Sequence, residues 1–183
     1  MIYYQDNEIT IRTREARDAQ VIADAQILQG WHASPEPFLE ELRDHEAGKC
    51  FSLTAEYRGN VAGYVNIYRS QREGPFAAAG YPEIVDFGVL EKYQRRGIGS
   101  KLMDAAERIA GEFADTVCLG VGLHNGYGAA QRMYVKRGYV PDGSGVWYQD
   151  RQCVQYETVC TVDDDLVLFL YKKLQEECSG KEN

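Results

Sequence analysis

The stretch Ile9-Thr-Ile-Arg-Thr-Arg alternates apolar and polar positions, which is the period of a half-buried strand. Asp18 to Leu28 changes to helical spacing, with Ala19, Ile22, Ala23 and Ile27 on one side. Ser34-Pro35-Glu36 reads as a helix start: a Ser cap, Pro at the first helical position, then an acid near the positive end of the dipole. That helix is expected to run to about Ala47, where Gly48 stops it. The strand-like runs Phe51–Tyr57 and Val61–Tyr68 flank Arg58-Gly59-Asn60, which predicts a hairpin. A loop over Gln71–Tyr81 leads into a strand, Ile84–Leu90, and a helix, Ile98–Phe113. Ile98, Leu102, Ala105, Ile109 and Phe113 share one face of that helix.

The second half reads as a strand over Thr116–Leu123 and a helix over Gly128–Arg137, stopped by Gly138. Tyr139-Val140 and Val146–Tyr148 are strand-like pieces interrupted by Pro141–Gly145, and Leu166–Tyr171 is a last strand. Neither repeats nor a linker break the series. The pattern therefore predicts one α/β domain over residues 1–175 and a C-terminal tail over 176–183, frayed at Cys178–Asn183.

Composition narrows the class. The chain has 183 residues, 44% hydrophobic and 26% charged, as expected of one globular domain with a substantial core. No apolar run approaches the roughly 20 residues of a membrane helix. The start Met1-Ile-Tyr-Tyr-Gln-Asp has no basic region followed by an apolar one, so the expected compartment is the cytoplasm. Five cysteines without C-x-x-C and three scattered histidines fit reduced thiols and no metal site. A net charge of −8 argues against a nucleic-acid partner and otherwise speaks to solubility.

The chemistry concentrates in Gln94-Arg95-Arg96-Gly97-Ile98-Gly99, between a strand and a helix start. A helix N-terminus offers unpaired N–H groups and the positive end of a dipole, and the arginines add forked donors for phosphate oxygens. The residues after Gly99 are Ser100-Lys101-Leu102, which breaks both the P-loop spacing and the third glycine of a Rossmann turn.

Val85-Asp86-Phe87-Gly88-Val89 feeding into this turn resembles motif A of the GNAT superfamily of acyl-CoA-dependent N-acyltransferases. Leu119-Gly-Val121, Asn125, Ala130, Tyr134 and Gly138-Tyr139 resemble its second half. The match runs from about Ile9 to Leu174. The resemblance implies a mixed central sheet flanked by helices, with strands splayed around a coenzyme A site. It also implies transfer of an acetyl group from acetyl-CoA to an amine in a ternary complex. In that reading the backbone of Phe87, Gly88 and Val89 pairs with the pantetheine arm, joined by Asn125. Gln94, Arg95, Arg96, Gly97, Ile98, Gly99 and Ser100 hold the pyrophosphate. Val89 N–H serves the oxyanion, and Tyr134 is the general acid. One departure stands out: Asn125 and Tyr134 are nine positions apart where the family usually has seven, so Asn125-Gly-Tyr-Gly carries two extra residues.

The general base stays open between Glu83 and Asp86, with His124 or a water chain as further routes. Where some family members carry a strand carboxylate, this chain has Gly120. In a regular strand Glu83 and Val89 share a face that Asp86 does not, unless a bulge breaks the parity. The acceptor is a small-molecule or peptide amine, walled by Trp31-His32, the loop Gln71–Tyr81 or the stretch Ser144–Asp165, and a homodimer is left open. The acidic run Asp163–Asp165 reads first as a solvated turn. A catalytically silent acyl-CoA-binding module is the alternative function.

Overall fold

The alternation at Ile9–Thr13 becomes a strand in the computed structural model, which describes residues 1–174. The tail expected at 176–183 lies outside the described residues. The chain divides into two compact units, residues 1–69 with 84–109, and residues 70–83 with 110 onward.

The first unit contains β1 (Ile2–Gln5), β2 (Ile9–Thr13), α1 (Ala16–Leu28), α2 (Glu36–Glu46), β3 (Cys50–Tyr57) and β4 (Asn60–Tyr68). Most of β5 (Glu83–Val89) and α3 (Ile98–Ala110) complete it. The five strands lie in chain order, and β1 to β4 pair antiparallel through consecutive partners. The predicted hairpin pairs Tyr57 with Asn60, and its two-residue turn has φ +50 at Arg58 and +77 at Gly59, as a type I′ turn requires. Ile11, Ile22, Leu53, Val65, Ile98, Leu102 and Ile109 are almost fully buried and form the core.

Helix ends differ from expectation in instructive ways. α1 begins at Ala16, because Asp18 turns back to accept the Glu15 N–H at 2.8 Å and caps the first turn. Its buried stripe ends at Ala23; Ile27, expected inside, stays exposed in the last turn. Ser34 is not the cap of α2: Pro35 holds that position and no side chain caps the helix. α3 gives way to a turn at Gly111, so Phe113 lies past the helix and is exposed.

The second unit contains β6 (Thr116–Gly122), α4 (Gly128–Lys136), β7 (Val140–Tyr148), β8 (Arg151–Gln152) and β9 (Leu166–Lys173). Its strands run β6-β9-β7-β8, antiparallel throughout. Tyr139-Val140 and Val146–Tyr148 were expected as separate pieces. Val140 and Val146–Tyr148 belong to one strand, with Tyr139 just before it, because β9 pairs with Val140 and Pro141, then resumes at Val146. The residues between bulge out, held by Trp147 Nε1 donating to Ser144 Oγ at 2.7 Å. Phe76, Cys118 and Phe169 form the buried cluster of this unit. The short strands β1 and β8 carry too few residues to show a period in sequence. Cys50, Cys118, Cys153 and Cys160 are free thiols.

Candidate active site

In the first unit the basic turn is built by its backbone. Gln94 closes it, its N–H bonding Glu91 O at 3.1 Å and its Nε2 reaching back to Val89 O at 3.2 Å. Gln94 therefore ties the turn to the end of β5. Arg95 (φ +60) and Gly97 (φ +80) both take left-handed backbone. A Cβ added at Gly97 meets nothing within 4 Å, so glycine is needed there for its φ and not for room. Lys101 N–H bonds Gly97 O at 3.1 Å, the first intrahelical bond of α3. The N–H groups of Ile98, Gly99 and Ser100 precede it and have no intrahelical acceptor. Arg95 and Arg96 are exposed, and the Arg96 guanidinium lies 5.0 Å over the Tyr57 ring. An open turn with successive N–H donors and two guanidinium groups suits a diphosphate.

Upstream, Asp86 has φ +48, so the strict two-residue alternation of the pleat does not run through it. Phe87, Gly88 and Val89 follow, half-buried. Gly88 is needed for close packing: a Cβ there would lie 2.5 Å from Tyr64 Cζ. Asp86 and Tyr64 also line a cavity of about 550 Å³, together with Gln26, His32, Phe38 and Glu41. Gln26 Nε2 donates to Tyr64 Oη at 2.6 Å. Burial, and then the Asp86 charge, push the Tyr64 phenol up to about 12. Sequence reasoning had pointed to His32 and Asp86 but missed Phe38 and Glu41. Their signal was available: Glu41 follows Phe38 by three residues and so puts a charge on the buried face of α2.

In the second unit Glu83 meets an oriented amide. Gln71 is buried, and its Oε1 accepts the Phe76 N–H at 2.7 Å. That fixes which end of the amide faces Glu83, and Nε2 donates to Glu83 Oε1 at 2.7 Å. Burial raises the Glu83 carboxyl to about 7, against the Gln71 hydrogen bond and with help from Asp150. Cys118, buried nearby, has its thiol pushed up by burial and then by the Glu83 charge.

Asn125–Tyr127, in the segment expected to carry two extra residues, form a 3-10 turn ahead of α4. His124 caps it: Nδ1 accepts the Gly126 N–H at 3.0 Å, which leaves the proton on Nε2, 2.9 Å from Asp164 Oδ1. Both ring nitrogens are thus engaged, which removes the free lone pair a base needs. Tyr127 Oη also donates to Asp164, at 2.9 Å. Asp163 accepts the Asp165 N–H at 3.1 Å and the Tyr148 hydroxyl at 3.2 Å, so the acidic run is partnered within its own unit. Asn125 is exposed. Tyr134 is the buried residue of α4, its ring 5.7 Å from that of Tyr139, and burial holds its hydroxyl well above the ordinary phenol range.

The candidate residues thus fall into two sets. Asp86, Phe87–Val89 and Gln94–Ser100 belong to the first unit; Glu83, Asn125 and Tyr134 belong to the second. Among the described residues no three His, Cys, Asp or Glu side chains group as metal ligands, and no helix is long and apolar enough to cross a membrane.

The sequence model of the Acetyltransferase (GNAT) family matches residues 16–139, whereas no curated protein matches the chain by sequence. Among solved structures, a putative acetyltransferase, yncA, from Salmonella typhimurium with its cofactor acetyl-CoA aligns at TM-score 0.66 and 18% identity. That alignment covers 94% of this chain and 98% of that one. Ard1 from Thermoplasma volcanium gives 0.66 at 22% identity, over 92% and 99% of the two chains. A Salmonella typhimurium acetyl transferase that modifies the N-terminal serine of ribosomal protein L7/L12 gives 0.70 at 12% identity, over 96% and 100%. These structures share the fold; the family match covers the basic turn and Tyr134 as well, and the chain belongs to the GNAT acetyltransferase family.

Proposed function

We propose that this acetyltransferase moves the acetyl group of acetyl-CoA to a primary amine by direct attack within a ternary complex. Acetyl-CoA supplies a thioester whose carbonyl carbon is the electrophile. The observation that carries the reading is the turn: left-handed Arg95 and Gly97 followed by the first N–H groups of α3, a cradle suited to the pyrophosphate. In this reading the Phe87–Val89 backbone binds the amide-rich arm, and Val89 N–H donates to the charge that develops on the acyl oxygen. Asn125, exposed in its 3-10 turn, is the weakest member of the binding set.

The attacking amine has an ordinary pKa of about 10.4 and must lose a proton first. Glu83, raised to about 7 and oriented by Gln71, has the basicity for that step, directly or through water. Tyr134 keeps its proton at any physiological pH and donates it to the departing thiolate. The acceptor is a small-molecule or peptide amine.

Acetyl transfer from acetyl-CoA across an amine panel, followed by thiol release, tests this. Tyr134→Phe is expected to lower kcat about 100-fold while CoA affinity is retained. An unchanged kcat would remove Tyr134 from the reaction. CoA binding with no turnover on any amine would favour the silent module.

A further inference from the structure

The loop Gln71–Tyr81 of the second unit is folded around one side chain. Its neck is closed by the Gln71 N–H, which bonds Tyr81 O at 2.8 Å. Inside the loop the buried Gln71 amide commits its oxygen to the Phe76 N–H, at 2.7 Å. Gly74, at φ +111, lies close over that amide: an added Cβ would stand 3.0 Å from Cδ, Oε1 and Nε2 alike. A side chain there would strain the backbone and press on the amide at once. Phe76 in turn is seated with Cys118 and Phe169, its ring 5.7 Å from that of Tyr81 and 5.8 Å from that of Tyr171. The loop is thus packed by its own side chains, and while it keeps this fold the amide has one setting.

That setting aims Nε2 at Glu83 Oε1, 2.7 Å away. A donor held against one carboxylate oxygen fixes the orientation of the group and leaves Oε2 as the oxygen that takes a proton. It also favours the ionised form. The other influences on Glu83 run the opposite way: burial first, and then the charge of Asp150, in the turn after β7. The Cys118 thiol of β6 faces it as well, pushed up by burial and then by the Glu83 charge. Gln71 opposes all of these from a loop whose interior is built to hold it.

We propose that Gln71 is a positioning residue, through which the folded loop Gln71–Tyr81 leaves Glu83 Oε2 to take the proton of the incoming amine. This rests on the assignment of Glu83 as the base and makes the conformation of the loop a part of that base. When the loop is displaced, the carboxyl loses its donor and holds its proton to higher pH, so less of it is available as a base at pH 7.

The test is a carbon-13 NMR titration of the Glu83 side-chain carboxyl in the full chain, its resonance identified by its loss in Glu83→Gln. The pH profile of kcat/KM is measured alongside, with acetyl-CoA and the fastest acceptor of the amine panel. Gln71→Met keeps the length of the side chain but cannot donate. It is expected to raise the titration midpoint by about one pH unit. In the profile kcat/KM is expected to fall about fivefold at pH 7 and to return to within about twofold of the wild type near pH 9. Gly74→Ala leaves Gln71 in place and crowds its amide; the midpoint is expected to move the same way by about half as much. Melts show which variants are folded, and where Gln71→Met is not, Gly74→Ala decides. An unmoved midpoint in either folded variant would overturn the proposal, as would a rate loss of equal size at every pH. Failure of the acetyltransferase reading shows differently. A midpoint that moves while the profile stays put, or while no amine is acetylated, supports the contact of Gln71 with Glu83 and overturns Glu83 as the base.

Discussion

Glu83 and Asp86 are three residues apart on one strand, yet each has a separate chemistry. Glu83 is half-buried and bonded to one oriented amide, so its proton is lost near pH 7; Asp86 is exposed on left-handed backbone at a cavity wall. The wild-type kcat/KM is therefore expected to rise with pH through an apparent pKa of about 7, and Glu83→Gln to lose that rise together with about 100-fold in rate. Stability runs the other way. Below pH 4.5 the carboxyl is protonated in both states and contributes nothing. Between 4.5 and 7 the folded state holds the proton more tightly, so stability falls as pH rises, and the full penalty, on the order of 3 kcal/mol, applies above pH 7. Glu83→Gln keeps an amide partner for Gln71 and is expected to melt higher than the wild type at pH 8 but not at pH 4. Thermal melts at the two pH values check this. Equal differences at both would mean that Glu83 is not desolvated.

At the scale of elements, the turn between β5 and α3 concentrates strain in a short span. Gly97→Val forces a β-branched residue to φ +80 and is expected to cost on the order of 1–2 kcal/mol and to raise the KM for acetyl-CoA at least tenfold. Steady-state kinetics and a melt read both effects; an unchanged KM would separate the turn from the donor. This turn was legible in the sequence because its chemistry is local: glycine, arginine and the start of a periodic helix occur consecutively. The hairpin at Arg58-Gly59 was legible for the same reason. What the sequence hid depends on partners distant along the chain. Ile27 has the right spacing for burial yet stays exposed in the last turn of α1, and Pro141–Gly145 looks like a break until β9 pairs on both sides of it. Gln71 carried no signal, since its value lies in a hydrogen bond to a residue twelve positions away. The cavity was half legible: His32 and Asp86 stood out, whereas Phe38 and Glu41 read as an ordinary helix face.

For the whole molecule, binding and stability are linked through mass action. A ligand that binds only the folded chain at 100 times its Kd adds about 2.7 kcal/mol, or roughly 5–10 °C for a chain of this size. Coenzyme A is expected to give such a shift, and ATP or NAD at equal concentration a smaller one. A larger shift with either nucleotide would return the basic turn to nucleotide binding of another kind.

The strand orders of the two units also bear on how fast each is assembled. In the first unit every neighbour from β1 to β4 is the next strand along the chain, and a two-residue turn joins β3 to β4. In the second, β6 must wait for β9, whose residues begin more than forty positions later, before either has its central partner. Closing a long loop costs entropy before any contact repays it, and contacts distant in sequence form slowly. During refolding the meander that carries the cavity is therefore expected to form before the β6–β9 pairing of the second unit.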